Sequence, residues 1–255
     1  MGNIIGKNLK KYDNVSLISV NIGNDVVLGE DSFIKECTLG DRCSIERRNM
    51  LFNSCIDTYT YTGYNTVIKY ADIGKFCSIS WNVSIGGANH EITHLSTHPF
   101  PFLSKFGLTE NTEKYNSFDT NLKVGNDVWI GAHALIPAAH DITIGNGAIV
   151  AAGSVVSKDV PAFAVVAGSP ARVVKMRFSD KICADLEASS WWDYDWQEAA
   201  AALPGLAGIA PLNDAKAFCA WWRDGGADMM KPYLIIPQKR RVRREGQEVF
   251  LDKLL

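Results

Sequence analysis

His90, His94 and His98 stand four residues apart, the spacing that would line three imidazoles along one face of a helix, where they could hold a zinc ion. The residues around them oppose that reading. Thr93, Ser96, Thr97 and Pro99 make a poor helix, so no metal is expected here. A different pattern singles out Asn89 and His90. They fall where a long six-residue repeat calls for something small and mostly apolar, and the rule breaks there.

The elements that must position these residues are set by that repeat. Along Val124-Gly-Asn-Asp-Val-Trp-Ile130-Gly-Ala-His-Ala-Leu-Ile136 and Ile144-Gly-Asn-Gly-Ala-Ile-Val150-Ala-Ala-Gly-Ser-Val-Val156 an aliphatic recurs every sixth position with a small residue after it. The same beat runs through Ile22, Leu28, Ile34, Leu39, Ile45, Leu51, Ile73, Ile79 and Ile85, with single-residue deficits from Ile34 to Leu39 and from Leu51 to Ile56. Strands have period two and helices 3.6. A period of six fits a chain that turns a corner after every side, three sides closing one triangular coil of a hexapeptide β-helix. The fourth residue after each aliphatic, as in Val26, Ser32, Cys43, Cys55, Cys77, Ala134 and Ser154, is small enough for an interior corner.

Composition excludes several classes. In 255 residues, 47% are apolar and 21% charged, with a formal charge of -2, so a sizeable core is available and a polyanion is not the expected main partner. No apolar run reaches membrane-spanning length, and the N-terminus lacks a signal-peptide core; a cytoplasmic chain is expected. Six cysteines form no Cys-x-x-Cys pair. Cys43, Cys55 and Cys77 are read as small buried hydrophobes on interior corners, and Cys183 and Cys219 as inert residues of helices.

Residues 1–87 make the first block of coils. Residues 88–123 abandon the period, and an unbroken loop of that length inside a compact fold is usually functional. Its aromatics argue for an ordered excursion packed on a neighbouring surface. Coils resume to about Val160, with two extra residues near His140 and Asp141. Helices are expected from Ser179 to about Ser190, from Asp195 to Leu203, and from Asn213 to Arg223. The apolar area of Phe218, Trp221 and Trp222 should pack against the rest of the protein.

The coils, the excursion that opens Gly86-Gly-Ala-Asn-His90 and reaches Thr97-His-Pro-Phe100, the Val128-Trp-Ile-Gly131 segment, the Ala167-Gly-Ser-Pro-Ala-Arg172 closure and the Trp-rich helix together resemble the xenobiotic acetyltransferase branch of the left-handed β-helix acyltransferases. That branch contains streptogramin and hexapeptide-type chloramphenicol acetyltransferases and relatives thought to modify surface glycans. The resemblance covers about residues 15–197. It implies a mainly β chain: a left-handed parallel β-helix acyltransferase domain over 1–176 with the excursion at 88–123, helices over 177–204, and an extension of unknown role over 205–255. The left hand of the coil comes from the resemblance alone.

The resemblance further implies an acetyl-CoA-dependent O-acetyltransferase acting as a homotrimer without metal, each site lying between two subunits. His90 matches the general base, able to take a proton from a hydroxyl as it attacks the thioester, and no acyl-enzyme Ser or Cys motif is present, so transfer is expected to be direct. Asn89 either orients the loop, binds acceptor or forms a turn. Gly131, Ala152, Gly153 and Ser154 fall where small residues would admit the pantetheine arm, with Trp129 either walling that channel or packing in the core. Lys158, Arg172 and Lys175 lie where the nucleotide phosphates end. Tyr59, Tyr61 and Tyr64 are expected to line the acceptor cleft from the neighbouring subunit, and His98 to touch the acceptor. His94 belongs on the surface, and His133 and His140 in solvated positions.

Three functions compete: acetylation of a sugar hydroxyl in a surface polysaccharide or its precursor, which leads; antibiotic inactivation by O-acetylation; and a non-catalytic β-helix binding module, which the Gly-Ala-Asn-His90 context disfavours. The basic run Lys239-Arg-Arg-Val-Arg-Arg244 lacks interleaved aromatics, so nucleic acid is not an expected partner.

Overall fold

Sides of five or six residues leave room for strands of only two or three residues before each corner, and the chain stacks these into three parallel sheets. A computed structural model describes residues 2–87, 89–90, 92–101, 103–108, 120–202, 212 and 214–232. The first sheet has seven strands, the second nine and the third six, and consecutive strands as far as Ile149–Val150 pass from one sheet to the next. The result is a parallel β-helix. Early turns repeat every 17 residues, as in the bond from the Asn24 backbone N–H to Asp41 Oδ1. Two sides of six and one of five give that sum; the short side always runs from the third sheet to the first, as in Ile34 to Leu39, Leu51 to Ile56 and Ile68 to Ile73.

Because successive turns pair in one register, like side chains stack. Ile22, Leu39, Ile56, Ile73, Val124 and Ile144 form one buried column inside the first sheet. Each such burial contributes about 1.5–3 kcal/mol. The corners demand left-handed backbone, and the chain supplies it without glycine at Asn8, Asp25, Arg42, Tyr59, Phe76 and Asp127, one above another on the edge between the first and second sheets. Glycine is required elsewhere for closeness: a Cβ on Gly131 would lie 2.5 Å from the Ala152 nitrogen of the next turn.

One expectation is corrected. Cys43 and Cys77 occupy interior corners and are fully buried, but Cys55 does not sit in that seat. It points outward on the first sheet between Thr38 and Asp72, because the short side shifts the register by one and hands the interior corner to Ser54, whose hydroxyl bonds the Phe52 carbonyl and the Ala71 N–H. Cys37 takes the equivalent seat one turn earlier. Burial pushes the Cys37 and Cys77 thiols up to about 12, which fits inert packing groups. The coil also buries Asn49, whose side chain bonds the Glu46 carbonyl, the Thr62 hydroxyl and the Thr66 N–H.

The second sheet ends in an antiparallel pair, Ala164–Gly168 with Ala171–Met176. Helices α1 (Asp180–Ser189), α2 (Trp196–Ala202) and α3 (Ala215–Trp221) follow. Ser179 precedes α1 with extended backbone but makes no capping bond. Asp195 caps α2 through the N–H groups of Gln197 and Glu198, and Asp214 caps α3 through Ala217. Phe218 of α3 is buried with Leu186 of α1 and Phe163 of the coil, as its apolar area requires. Lys75, itself buried, reaches Asp193 at 2.7 Å and pins the helices to the coil. The basic run 239–244 lies outside the described residues.

Candidate active site

The excursion leaves the edge between the third and first sheets after Ile85 and returns at Leu122. Residues 92–99 make successive bends with no helical turn among the described positions, so the four-residue spacing of the histidines places nothing on a common helix face. His90 is exposed, and its Nδ1 lies 2.7 Å from the Thr97 carbonyl oxygen. A carbonyl oxygen only accepts. The neutral ring therefore carries its proton on Nδ1 and its lone pair on Nε2. Asn89, immediately before it, donates its side-chain N–H to the Ala138 carbonyl on the next turn, which ties the opening of the excursion to the coil.

His98 serves as a packing centre within the excursion. Its ring centroid lies 4.7 Å from that of Phe106 and 5.9 Å from that of Phe100, and its Nδ1 accepts the Phe100 N–H. His94 and His133 are exposed. His140, although exposed, meets carbonyl oxygens on both ring nitrogens, those of Asp141 and Ser157.

The residues considered for the cofactor gather on other surfaces. Trp129 stands on the outer face of the second sheet, 54% exposed, in one cross-strand column with Tyr61, Ser78 and Ile149. Gly131 and Ala152 abut on the edge between the second and third sheets, with Gly153 beside them at φ 69°. Ser154 is wholly buried and its hydroxyl accepts the Gly168 N–H, so its side chain secures the closing strand. Arg172 and Lys175 lie on that last strand, and Lys158 follows Ser157 near the excursion edge.

The three tyrosines divide. Tyr61 and Tyr64 stay near the Trp129 face, Tyr64 stacking on Trp81 at 6.1 Å with Arg47 on its other side. Tyr59 turns to a different edge, where it stacks on Phe76 at 4.8 Å, and Phe76 packs on Trp191; burial pushes its phenol pKa up, opposed by Arg42. Tyr59 thus helps dock the C-terminal helices. Trp81, 44% exposed, is a residue that sequence reasoning missed; its signal was a bulky aromatic directly after the small corner residue Ser80.

No protein-family model matches the chain. Curated relatives do. A chloramphenicol acetyltransferase of Agrobacterium fabrum is 33% identical over 154 residues, which is 59% of this chain and 71% of the relative. A probable macrolide acetyltransferase of Lysinibacillus sphaericus is 36% identical over 129 residues, 49% of this chain and 71% of the relative. A galactoside O-acetyltransferase of Escherichia coli K12 is 34% identical over 120 residues, 47% of this chain and 46% of the relative. With this coil and this excursion the chain is a β-helix acyltransferase. It belongs to the xenobiotic acetyltransferase branch of the hexapeptide acyltransferases, with acetyl-CoA as co-substrate.

Proposed function

We propose that the protein transfers the acetyl group of acetyl-CoA directly to a hydroxyl of a sugar in a surface polysaccharide or its precursor, with His90 as the general base. The observation that carries the chemistry is the bond from His90 to the Thr97 carbonyl. It holds the ring in the tautomer whose Nε2 can take a proton, which a hydroxyl nucleophile needs at neutral pH.

The site is composite in this reading. His90 belongs to the edge between the third and first sheets, whereas Trp129, Gly131 and Ala152 belong to the second sheet and its far edge, so an adjoining copy supplies what one copy lacks. Ile92 and Leu95, 83% and 103% exposed, give the excursion an apolar side fit to rest on that copy. A homotrimer is the closed assembly proposed. Lys158, Arg172 and Lys175 would meet the phosphates of the donor.

A sugar acceptor is supported by the hydrogen-bonding character of the excursion, where five of the seven residues from Ile92 to His98 are Thr, His or Ser, and by the galactoside O-acetyltransferase relative. The second reading, inactivation of an antibiotic, is favoured by the chloramphenicol and macrolide names of other relatives. Release of CoA thiol should be measured with glycosides, chloramphenicol and a macrolide in parallel. A glycoside giving the highest kcat/KM supports the sugar reading; chloramphenicol or the macrolide exceeding every glycoside tenfold transfers the assignment to the antibiotic.

A further inference from the structure

The edge between the third and first sheets carries two departures from the regular turn, one directly above the other. The excursion leaves it between Ile85 and Leu122. On the next turn the step from Ile136 to Ile144 takes eight residues, where Ile34 to Leu39, Leu51 to Ile56 and Ile68 to Ile73 each take five. These two irregular segments hold each other. At the opening of the excursion Asn89 donates to the Ala138 carbonyl. At its return the Asp141 carboxylate accepts the Asn121 backbone N–H at 2.6 Å and the Asn121 side-chain N–H at 3.1 Å, and the Ile142 N–H donates to the Asn121 carbonyl at 3.0 Å. The long corner is itself tied to the following turn by His140, whose ring nitrogens lie 2.7 Å from the Asp141 carbonyl and 2.9 Å from that of Ser157.

We infer that the lengthened corner 137–141 is the seat of the excursion and that Asp141 is a positioning residue for His90. The anchor of the His90 ring, the Thr97 carbonyl, belongs to the excursion and moves with it. Two ties relate the ends of the excursion to the coil, one of them at the residue before His90. Both reach the same five-residue corner. A misplacement of about 1 Å at a reacting group can cost on the order of a hundredfold in rate, so loosening one tie lowers turnover without touching the donor face on the second sheet. This inference rests on the reading of His90 as the base.

The test compares full-length wild type with Asp141→Ala, Asp141→Asn, His90→Ala and the double variant His90→Ala with Asp141→Ala. Thiol release from acetyl-CoA is followed with methyl galactoside and with chloramphenicol, and amide hydrogen exchange is followed over residues 97–108 and over the coil strand 122–130. Asp141→Ala should lower kcat about tenfold with KM for acetyl-CoA unchanged within about twofold. Exchange over 97–108 should quicken at least about tenfold, as the loss of two hydrogen bonds to a charged group allows, while 122–130 stays as in wild type. Asp141→Asn keeps an oxygen for the Asn121 N–H and should recover most of both, and Asp141→Ala should add no loss in the His90→Ala background. Wild-type exchange over 97–108 in Asp141→Ala overturns the inference, as does an equal further loss when His90 is already gone. Full turnover by His90→Ala removes the base reading instead, and the exchange result then judges the seat alone; it does the same if neither acceptor is turned over.

Discussion

Replacing His90 by Ala is the most demanding perturbation the site offers. The side chain is exposed and makes its bond to the Thr97 carbonyl within the excursion, so its removal opens no cavity in the coil, and a surface substitution of this kind changes stability by about 0.5 kcal/mol or less. Proton abstraction is another matter. General-base catalysis contributes about 10²- to 10⁴-fold, equivalent to about 2.7–5.4 kcal/mol of transition-state stabilisation at 1.36 kcal/mol per decade. The expected variant loses that much kcat at saturating acetyl-CoA while its affinity for CoA, measured by calorimetry, stays within a few fold. His90→Gln should be as slow as His90→Ala, because an amide accepts a hydrogen bond from the hydroxyl but cannot take its proton. His94→Ala and His133→Ala should change little, both side chains being exposed and neither taking part in the His90–Thr97 bond. Turnover of His90→Ala within threefold of wild type on the acceptor the wild type prefers would refute the reasoning.

The donor, the core and the buried thiols yield three more predictions. Lys158→Ala with Arg172→Ala should weaken acetyl-CoA binding by at least tenfold more than it weakens binding of dephospho-CoA; equal losses would mean these cations do not meet the phosphates. Asn49→Ala strands the Thr62 hydroxyl and the Thr66 N–H inside the coil, while the Glu46 carbonyl keeps the Ser32 hydroxyl, so chemical denaturation should register a loss of about 2–5 kcal/mol, against less than 1 if the polar groups rearrange. The Cys37 and Cys77 thiols stay protonated in the folded chain up to about pH 12 but ionise once unfolded near their ordinary 9.0. The folded state therefore holds more protons between those values, and stability falls as pH rises through that window. The double variant Cys37→Ala with Cys77→Ala should show a shallower fall in Tm between pH 9 and 11, and an unchanged slope would contradict the assignment.

The period of the aliphatics made the coil legible because a solenoid repeats its environment: the buried aliphatic that one turn needs on the first sheet, every turn needs, and Leu39, Ile56 and Ile73 state it again. The break at Asn89 and His90 was visible for the same reason. Cys55 was misplaced because on a side one residue short the interior corner falls on the third residue after the aliphatic, Ser54 after Leu51, and not on the fourth. Tyr59 and Tyr64 look alike in sequence, but one stacks beneath Trp191 through Phe76 and the other on Trp81, and partners 17 or more residues away are invisible to local pattern. The contacts that fix His90 and Asn89 go to the carbonyls of Thr97 and Ala138. A carbonyl oxygen belongs to every residue, so no residue type announces it.

The ladder closes across the excursion as if nothing intervened: Ala71, Asp72 and Ile73 pair with Leu122, Lys123 and Val124 in the register that joins every other turn. Lengthening that connection from 17 residues to 51 adds only about 1 kcal/mol of loop-closure entropy. The segment bearing His90, tied to the coil near both of its ends, can therefore change in length and composition between those ties while the ladder beneath it keeps its register. One scaffold can in this way carry many different inserts, the coil being kept whole while the segment seated on it is exchanged.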